Sequence, residues 1–323
     1  MAATAAVPAT ATVRSLPAVS ATGLTKSYGD KAVLRGIDLE IPAGSVFALL
    51  GPNGAGKTTT VQILSTLIPA DGGSARVAGH DVEREADGVR KAIGVTGQFS
   101  AVDNLLTAEE NLLLMADLNH LRRREGRRRA EELLRRFDLT EASRKAVTTF
   151  SGGMRRKLDL AMTLVGDPKV IFLDEPTTGL DPRSRRTTWE IIRSLVADQG
   201  VTIFLTTQYL EEADQLADRI AVLDGGRIVA EGTAEELKRY APGGRIRLQF
   251  TDAGSLATAA ALFPYATADT EALRLEIPGD NSVLTVKAVL DALDNASVQA
   301  ESLVVETADL DDVFLQLTGE GTR

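Results

Sequence analysis

The sequence contains no cysteine and only two histidines, His80 and His120, among 323 residues. Without cysteine the chain cannot form disulfides, which agrees with a reducing compartment but does not establish one. Long apolar runs are missing as well. The longest, such as residues 46–50 and 201–205, have the length of strands and fall far short of the roughly 18 residues that a membrane helix needs. Any role at a membrane therefore requires a partner.

The chain also lacks a surplus of positive charge, because 36 Lys and Arg face 45 Asp and Glu, a net charge of −9. A general nucleic-acid binder needs a basic face to neutralise phosphates, so this balance argues against nucleic acid as a partner. The excess of acid is local. The segment from Arg245 onward holds thirteen acidic residues and five basic ones.

The rest of the composition is that of a globular protein, with 44% hydrophobic and 25% charged residues. This content supports real cores and excludes a mostly disordered or fibrous chain. A chain of 323 residues is expected to form one large and one small domain. Residues 1–18 are rich in Ala, Thr and Pro and lack the basic start and apolar run of a secretory signal, so they are predicted to form a disordered tail.

From residue 19 to about residue 240, short β-rich runs alternate with helical patterns, which is typical of an α/β fold with helices packed on a parallel or mixed sheet. Strands are predicted at residues 45–50, 92–96, 170–173, 201–206 and 219–223. A helical insert is predicted at about 100–165. The residues that follow helical apolar spacing in this insert are Ala130, Leu133, Leu134 and Phe137.

Two arginine triplets, residues 122–124 and 127–129, lie in the same insert. The first interpretation is a solvated helix face, since charge runs usually face water. Contact with a partner or with anionic lipid headgroups is the alternative.

A second, small domain is predicted at residues 241–323. The segment 233–236, Thr-Ala-Glu-Glu, has the form of a capping box and predicts a short helix, and residues 241–244, Ala-Pro-Gly-Gly, indicate a linker. Beyond the linker, strands are predicted at 245–251, 273–277 and 298–305, each followed by a helix. The sequence predicts a small α/β accessory domain and contains no catalytic motif there.

Residues 51–58, Gly-Pro-Asn-Gly-Ala-Gly-Lys-Thr, match the phosphate-binding loop pattern and stand between an apolar strand and a helix predicted at 57–67. Glycines let the backbone curl so that successive N–H groups face phosphate oxygens, and the helix N-terminus adds its positive end. Lys57 is expected to reach the β- and γ-phosphates, and the Thr58 hydroxyl to bind Mg²⁺. The residues expected to contact the nucleotide here are Gly51, Pro52, Asn53, Gly54, Ala55, Gly56, Lys57, Thr58 and Thr59.

Residues 170–175, Val-Ile-Phe-Leu-Asp-Glu, supply the carboxylates that hydrolysis requires. Four apolar residues predict a buried strand that delivers Asp174 to the Mg²⁺ site. Glu175 follows at once, where a carboxylate orients and deprotonates the attacking water. The alternative, a surface acid that ends a strand, agrees poorly with the tight turn that Pro176 and Gly179 predict.

The base is predicted to be adenine, because the Asn-Lys-x-Asp element of guanine-specific switch proteins is missing from the sequence. Tyr28 lies in a β-like segment upstream of the phosphate loop. It is expected to stack on the base, with packing in the core as the alternative.

Residues 150–155, Phe-Ser-Gly-Gly-Met-Arg, open a helix between the two nucleotide motifs, and with this element the sequence resembles the ATP-binding-cassette (ABC) ATPases. Their signature is usually Leu-Ser-Gly-Gly-Gln, so Phe150 and Met154 depart from it while the Ser-Gly-Gly core is intact. The resemblance implies that Ser151, Gly152 and Gly153 close over ATP bound to a second subunit, which makes the active unit a homodimer.

Two further elements carry the resemblance, which extends over residues 19–232. Gln98 matches the glutamine loop that contacts metal and water, and residues 179–181, Gly-Leu-Asp, match the segment in which Asp181 contacts the opposite subunit. The implied fold is a P-loop NTPase cassette with a parallel core sheet, an antiparallel sheet and a helical subdomain.

Gln208 occupies the position where the family normally has a histidine that contacts the γ-phosphate. A glutamine amide donates a hydrogen bond but cannot carry a proton charge. This departure puts in doubt any mechanism that depends on an imidazolium, and it leaves the assignment of Glu175 as the base intact.

Residues 206–210, Thr-Thr-Gln-Tyr-Leu, and the ending 309–319 resemble the daunorubicin/doxorubicin-resistance subfamily of bacterial drug exporters. The resemblance implies an ATPase that works at the cytoplasmic face of the cell membrane, bound to a separately encoded membrane permease. An importer ATPase is the alternative, and a soluble cassette acting on ribosomes or DNA is a more distant one.

Overall fold

The computed structural model describes residues 16–97, 101–239, 244–279, 282–306 and 310–318. The chain divides into two compact units between Ile228 and Val229. Residues 1–15 of the predicted tail, residues 241–243 of the predicted linker and the predicted site residue Gln98 lie outside the described residues.

The first unit contains an antiparallel sheet and a mostly parallel one, with helices between their strands. The strands are β1 (Val19–Tyr28), β2 (Lys31–Ile41), β3 (Val46–Leu50), β4 (Gly72–Val77), β5 (His80–Asp81), β6 (Ile93–Thr96), β7 (Val170–Asp174), β8 (Thr202–Thr207), β9 (Arg219–Asp224) and β10 (Arg227–Gly232), of which β10 crosses the division. The helices are α1 (Lys57–Leu64), α2 (Ala86–Ala92), α3 (Ala108–Leu118), α4 (Arg123–Arg136), α5 (Gly152–Thr163), α6 (Pro182–Gln199) and α7 (Leu210–Leu216). The predicted α/β fold is confirmed, and each of the five predicted strands of this region is found within one residue at either end.

The six-stranded sheet, of order β10-β9-β3-β8-β7-β6, positions the site. Strands β3, β7 and β8 are buried along their whole length, which explains their continuous apolar runs. Strand β8 runs parallel to both β3 and β7, with Leu50 beside Thr207 and Asp174 beside Thr206. Because the carboxyl ends of parallel strands lie at one edge, the segments after β3, β7 and β8 meet there.

The antiparallel sheet has the order β2-β1-β4-β5. Its apolar face packs on α1 and the core of the first unit, where Leu24, Leu34 and Val77 are buried. A hairpin turn at Gly225 and Gly226, both with positive φ, joins β9 to β10 as the sequence predicts.

The helical insert contains α3, α4 and α5 together with two short 3₁₀ turns. The four residues with helical apolar spacing, Ala130, Leu133, Leu134 and Phe137, are all buried, as predicted. Arg129 points inward and donates to the Leu164 carbonyl at 2.8 Å. The other five arginines of the two triplets are exposed, which agrees with a solvated face.

The second unit contains helices and strands of its own: α8 (Ala234–Lys238), β11 (Arg245–Gln249), α9 (Ala253–Leu262), β12 (Thr267–Asp269), β13 (Arg274–Pro278), α10 (Val283–Asn295), β14 (Ser302–Glu306) and α11 (Leu310–Thr318). The sheet is antiparallel with the order β12-β13-β11-β14. Its apolar face, with Ile246, Leu248 and Leu275, packs against Leu256 and Val289 of the helices. The predicted capping box is confirmed, since Thr233 Oγ1 accepts from Glu236 N and Glu236 Oε2 accepts from Thr233 N.

Three features of this unit differ from the sequence-based expectation. The first strand ends at Gln249 rather than at residue 251. The last predicted strand begins at Ser302 rather than at residue 298, because the N–H of Val298 caps the end of α10 by donating to the Leu293 carbonyl at 3.0 Å. Strand β12 was not predicted. All three of its residues are exposed, so it lacks the apolar alternation that marks a strand in sequence.

Candidate functional site

The phosphate loop connects β3 to α1 and depends on its glycines. Gly54 and Gly56 have φ of 82° and 113°, a region that L-residues rarely adopt. A Cβ added to Gly56 would lie 2.6 Å from Leu34 Cδ2, and one added to Gly51 would lie 2.3 Å from the Leu223 carbonyl oxygen. At these two positions glycine also permits close packing behind the loop, whereas a Cβ on Gly54 would point into open space.

The first turn of α1 presents backbone donors that have no protein acceptor. The earliest backbone bond of the helix runs from Thr60 N to the Gly56 carbonyl at 2.9 Å. Throughout the part of the chain that the structure describes, the N–H groups of Lys57, Thr58 and Thr59 find no acceptor, and the first turn has no side-chain cap. Three orphan donors at a helix N-terminus form a site for an anion, which is the fit that a phosphate requires.

A cavity of about 340 Å³ lies over this turn. It brings together most of the predicted phosphate-loop residues and Glu175, the predicted general base. Its lining is Lys31, Val33, Asn53, Gly54, Gly56, Lys57, Thr58, Thr59 and Glu175. Gly51, Pro52 and Ala55 form the loop but are absent from that lining. Lys31 and Val33 come from β2 and were missed, since β2 belongs to the separate antiparallel sheet and meets the loop at Gly56.

Lys57 lies at the centre of the site, and its side chain is only 4% exposed. Its Nζ donates to the carbonyl oxygens of Gly51 at 2.8 Å and Pro52 at 3.2 Å, and it lies 3.4 Å from Glu175 Oε1. Burial lowers the pKa of the Lys57 ammonium, while the negative charges of Glu175 and Asp174 raise it. A phosphate oxygen in the cavity would compete with Glu175 for this ammonium.

Asp174 and Glu175 are held by Thr206, a residue that the sequence did not single out. The Thr206 hydroxyl donates to Asp174 Oδ1 at 2.6 Å and accepts from Glu175 N at 3.1 Å. Thr206 is fully buried in β8, directly opposite Asp174. Nothing in a single sequence reveals this contact, because it depends on which strands are neighbours.

The turn that follows β7 sets the direction of Glu175. Glu175 has a φ of 50°, in the left-handed region, and Gly179 has a φ of 77°. The turn closes through Thr178 N to the Glu175 carbonyl at 3.3 Å, and the Thr178 hydroxyl donates to Glu175 Oε2 at 3.3 Å. A non-glycine residue with this backbone in a cavity wall is typical of a functional position.

The donors for Mg²⁺ at this site are few. Thr58 is the second residue of α1 and has an exposed side chain, and Asp174 ends β7 with a buried one. Within the described ranges, no group of three or more His, Cys, Asp or Glu side chains is placed to hold a metal ion. A hydroxyl and a single carboxylate fit Mg²⁺ bound together with a nucleotide, because this ion takes its remaining ligands from phosphates and water.

Gln208 lies in the loop after β8 and is half-buried. Its side chain makes no hydrogen bond to any residue that the structure describes. Neither Gln208 nor Asp174 is among the residues that line the cavity.

The Tyr28 ring is 50% exposed at the end of β1, and the Lys26 Nζ lies 5.9 Å from its centroid. This exposure excludes core packing, the alternative interpretation. Stacking on the base stays a prediction.

The residues predicted to contact the ATP of a second subunit, Ser151, Gly152 and Gly153, lie at the start of α5 in the insert. The Ser151 hydroxyl caps α5 by accepting from Met154 N at 3.2 Å. Gly153 permits close approach to α6, because a Cβ there would lie 2.8 Å from Ser184 Oγ. Asp181 caps α6, accepting from the N–H groups of Arg183 and Ser184.

These residues and the phosphate loop are not brought together within one chain. Across the described segments, no hydrogen bond or ion pair joins residues 151–153 or Asp181 to residues 51–59. The prediction that they act on the nucleotide of a second subunit therefore stays a prediction.

Comparisons with known proteins agree with this geometry. Residues 34–178 match the protein family described as ABC transporter. The daunorubicin resistance ATP-binding protein DrrA3 of Streptomyces coeruleorubidus is 51% identical over 95% of this chain and 97% of its own length. The linearmycin resistance ATP-binding protein LnrL of Bacillus subtilis is 34% identical over 94% of this chain and 99% of its own. A solved structure titled as the ATP binding subunit of an ABC transporter superposes with a TM-score of 0.61 at 28% identity, covering 68% of this chain and 92% of that one.

Proposed function

Because the chain belongs to the ABC transporter family of ATP-binding proteins, we propose that it hydrolyses ATP to drive export of a drug-like compound through a separate membrane permease. The observation that carries the hydrolytic part is the cavity in which Lys57, the orphan N–H groups of α1 and Glu175 face one another. Resistance to daunorubicin or linearmycin in the names of relatives that align over nearly the whole chain supports export over import.

The proposed reaction assigns one task to each residue. The N–H groups of residues 57–59 and the Lys57 ammonium bind the β- and γ-phosphates and stabilise the charge that develops on the transferred phosphoryl group. Glu175 accepts a proton from the attacking water once phosphate has drawn Lys57 away from its carboxylate. Gln208 donates an amide hydrogen bond to the γ-phosphate.

Thr58 and Asp174 are proposed as the protein ligands of Mg²⁺. When bound, the ion neutralises the charge on the β- and γ-phosphate oxygens. Thr206 supports this site because its hydroxyl fixes the Asp174 carboxylate at 2.6 Å. Gln98 is proposed as a further contact of the metal and the water, on the family resemblance alone.

The active form is proposed to be a homodimer at the cytoplasmic face of the membrane. Ser151, Gly152, Gly153 and Asp181 of one subunit would complete the nucleotide site of the other. The described residues include no helix that is long and apolar enough to cross a bilayer. On the resemblance to the drug-resistance exporters, the permease is proposed as a separate chain, and the accessory unit as a further contact for the dimer or the permease.

The test is Glu175→Gln, which keeps the shape of the side chain and removes the base. We expect the hydrolysis rate to fall by about 10² to 10⁴ while ATP binding persists, as is typical for loss of a general base. With ATP, the variant is expected to elute as a stable dimer in size-exclusion chromatography. Glu190→Gln on the exposed side of α6 is the matched control.

Export is tested separately by co-expressing the chain with its permease and measuring daunorubicin accumulation in cells. Lower accumulation with the wild type than with Glu175→Gln supports drug export. Equal accumulation, with hydrolysis intact in the wild type, would reject daunorubicin as cargo without affecting the ATPase assignment. A wild-type hydrolysis rate in Glu175→Gln would reject the assigned base.

A further inference from the structure

Lys31, the first residue of β2, lines the nucleotide cavity but has no part in the proposed reaction. One wall of the cavity is formed by the phosphate loop, the first turn of α1 and Glu175. The described residues of the other wall are Lys31 and Val33. Residues two apart in a strand project to the same face, which agrees with both of them lining one cavity.

Close packing fixes β2 against the phosphate loop. A Cβ added to Gly56 would lie 2.6 Å from Leu34 Cδ2 and 3.2 Å from the Val33 carbonyl oxygen. A Cβ added to Gly226, in the hairpin between β9 and β10, would lie 2.3 Å from the same oxygen. Because two glycines admit the backbone of Val33 this closely, β2 has a defined position, and Lys31 is held at the wall of the cavity.

Lys31 is also a direct neighbour of the residue predicted to stack on the base. In the antiparallel pairing of β1 with β2, Tyr28 and Lys31 are partners across the turn that joins the two strands. The Cα atoms of such partners are about 4.5–5.5 Å apart, and their side chains lie on the same face of the sheet. Lys31 therefore lies between the phosphate loop and the expected position of the base.

Two lysines lie at this hairpin, and they differ in their ion pairing. Lys26 Nζ lies 2.8 Å from Asp71 Oδ1, so the charge of Lys26 is compensated within the protein. Lys31 is exposed, and its side chain forms no hydrogen bond or ion pair with any residue that the structure describes. It is an uncompensated cation at the edge of an anion site.

The two ends of a bound ATP are already assigned to other residues. The β- and γ-phosphates are assigned to Lys57 and the N–H groups of α1, and the base to Tyr28. Between them lie the ribose and the α-phosphate, of which only the phosphate is charged. We propose that Lys31 binds the α-phosphate of the nucleotide through its ammonium group. This inference rests on the proposed role of the cavity in binding ATP.

The chemistry of lysine fits this contact. A compact, strongly hydrated ammonium on a flexible four-carbon stem suits a phosphate oxygen that stays partly open to water. The α-phosphate is the same in ATP and in ADP. Lys31 therefore stabilises both nucleotides by a similar factor, whereas Lys57 is assigned to the β- and γ-phosphates.

The position of β2 offers a second explanation for this lysine. Strand β2 is an edge strand of its sheet, and exposed lysines on edge strands discourage pairing with other chains. That role alone does not require Lys31 to line the cavity, and it would leave the affinity for nucleotide unaltered. Nucleotide affinity therefore distinguishes the two explanations.

The test measures the Kd of ADP and of the non-hydrolysable β,γ-imido analogue of ATP by isothermal titration calorimetry with the full-length chain. Lys31→Met keeps most of the stem and removes the charge. We expect the Kd of both nucleotides to rise by a similar factor of about 3 to 20, between the contributions of an exposed ion pair and of a buried charged hydrogen bond. The dependence of Kd on salt should also be weaker in Lys31→Met, because salt screens the contact that is lost.

Two further variants serve as controls. Lys31→Arg keeps the charge, so its Kd for both nucleotides should stay within about threefold of the wild type. Lys91→Met, at an exposed position on α2, is the matched loss of one lysine away from the cavity and should bind both nucleotides as the wild type does. Circular dichroism establishes that all the variants are folded.

Three outcomes would overturn the proposal. A rise in Kd below about threefold in Lys31→Met would leave only the edge-strand role. A loss confined to the ATP analogue would place the ammonium at the γ-phosphate, and an unchanged salt dependence would place it at a neutral group. If Lys57→Ala also kept the wild-type affinity, the cavity would not be the nucleotide site, so failure of the proposed function is distinguishable from failure of this inference.

Discussion

The two units of the chain differ in how deeply they bury charged side chains. In the first unit, Lys57 and Glu175 face each other with exposures of 4% and 10%, and Glu212 is fully buried. In the second unit, Arg245 and Arg247 pair with the acids Glu276, Glu306 and Asp312, and all five remain between about one quarter and one half exposed. Both units contain exposed ion pairs, but among the described residues a pair with both side chains largely buried is found only in the first unit.

This difference in the burial of ion pairs agrees with a nucleotide site in the first unit. Burying a charge costs free energy that an exposed pair does not incur, so buried charges around an open cavity indicate a binding or catalytic task. Partly exposed pairs on the polar face of a sheet contribute roughly 0–1 kcal/mol each and require no ligand. The ion pairs in the described residues of the second unit are of this partly exposed kind.

The strongest test of the comparison is Lys57→Ala in the first unit. The change removes the ammonium that is proposed to bind the phosphates and leaves Glu175 without its partner. We expect ATP affinity to fall by about 100-fold or more, as for other truncations of a buried charge pair, and hydrolysis to fall to background. Equilibrium binding of a fluorescent ATP analogue measures the loss, with exposed Lys91→Ala as the control.

Leu248→Ala removes a buried side chain from the core of the second unit and leaves the nucleotide site unaltered. Leu248 is fully buried, so the unfolding free energy of this unit should fall by about 2–5 kcal/mol, measured by urea unfolding. ATP affinity should not change. Leu284→Ala, at a position that is 79% exposed, is the control. A parallel loss of ATP binding would contradict the separation of tasks between the units.

Thr206→Val tests the buried hydrogen bonds that hold Asp174 and Glu175 in the first unit. Valine keeps the shape of the residue but removes the hydroxyl that holds Asp174 and the Glu175 backbone. A hydrogen bond to a charged group contributes about 1.5–3 kcal/mol, so we expect a 10-fold to 100-fold lower hydrolysis rate and a higher Mg²⁺ requirement. Thr202→Val, which removes a buried hydroxyl at the other end of β8, should leave the rate unchanged.

The smallest effect is expected for Gln208→His. Hydrolysis near pH 8 should be retained or slightly raised, since a neutral imidazole also donates one hydrogen bond. An unperturbed histidine gains its proton below about pH 6.5, so the rate relative to the wild type should rise as the pH falls through that value. A pH profile measures this ratio. Complete loss of activity would mean that the pocket requires the amide.

Much of the fold was predictable because its signals are local. The family resemblance is confirmed by relatives that align over nearly the whole chain, and strands such as β3 and β7 follow from runs of buried apolar residues. The capping box at Thr233 is equally local. Gly56 precedes α1 as the phosphate-loop pattern requires.

The contacts that position the site were not predictable, because they depend on strand and helix pairing. Thr206 reaches Asp174 only because β8 lies beside β7, and Lys31 reaches the loop from a separate sheet. Glu212 accepts hydrogen bonds from Thr177 and Trp189, which are 35 and 23 positions away in the chain, and no local pattern connects them. Sequence motifs predicted the reacting groups, whereas the structure shows which side chains contact them.

The left-handed backbone of Glu175 has a consequence for engineering. A non-glycine residue in this conformation costs on the order of 1–3 kcal/mol, so glycine or asparagine would make the turn more stable and abolish the carboxylate. A library selected only for thermal stability should therefore enrich inactive proteins at this position. Keeping glutamate at position 175 lowers the stability of the turn and retains the proposed base. A variant designed for stability should therefore leave this residue unchanged.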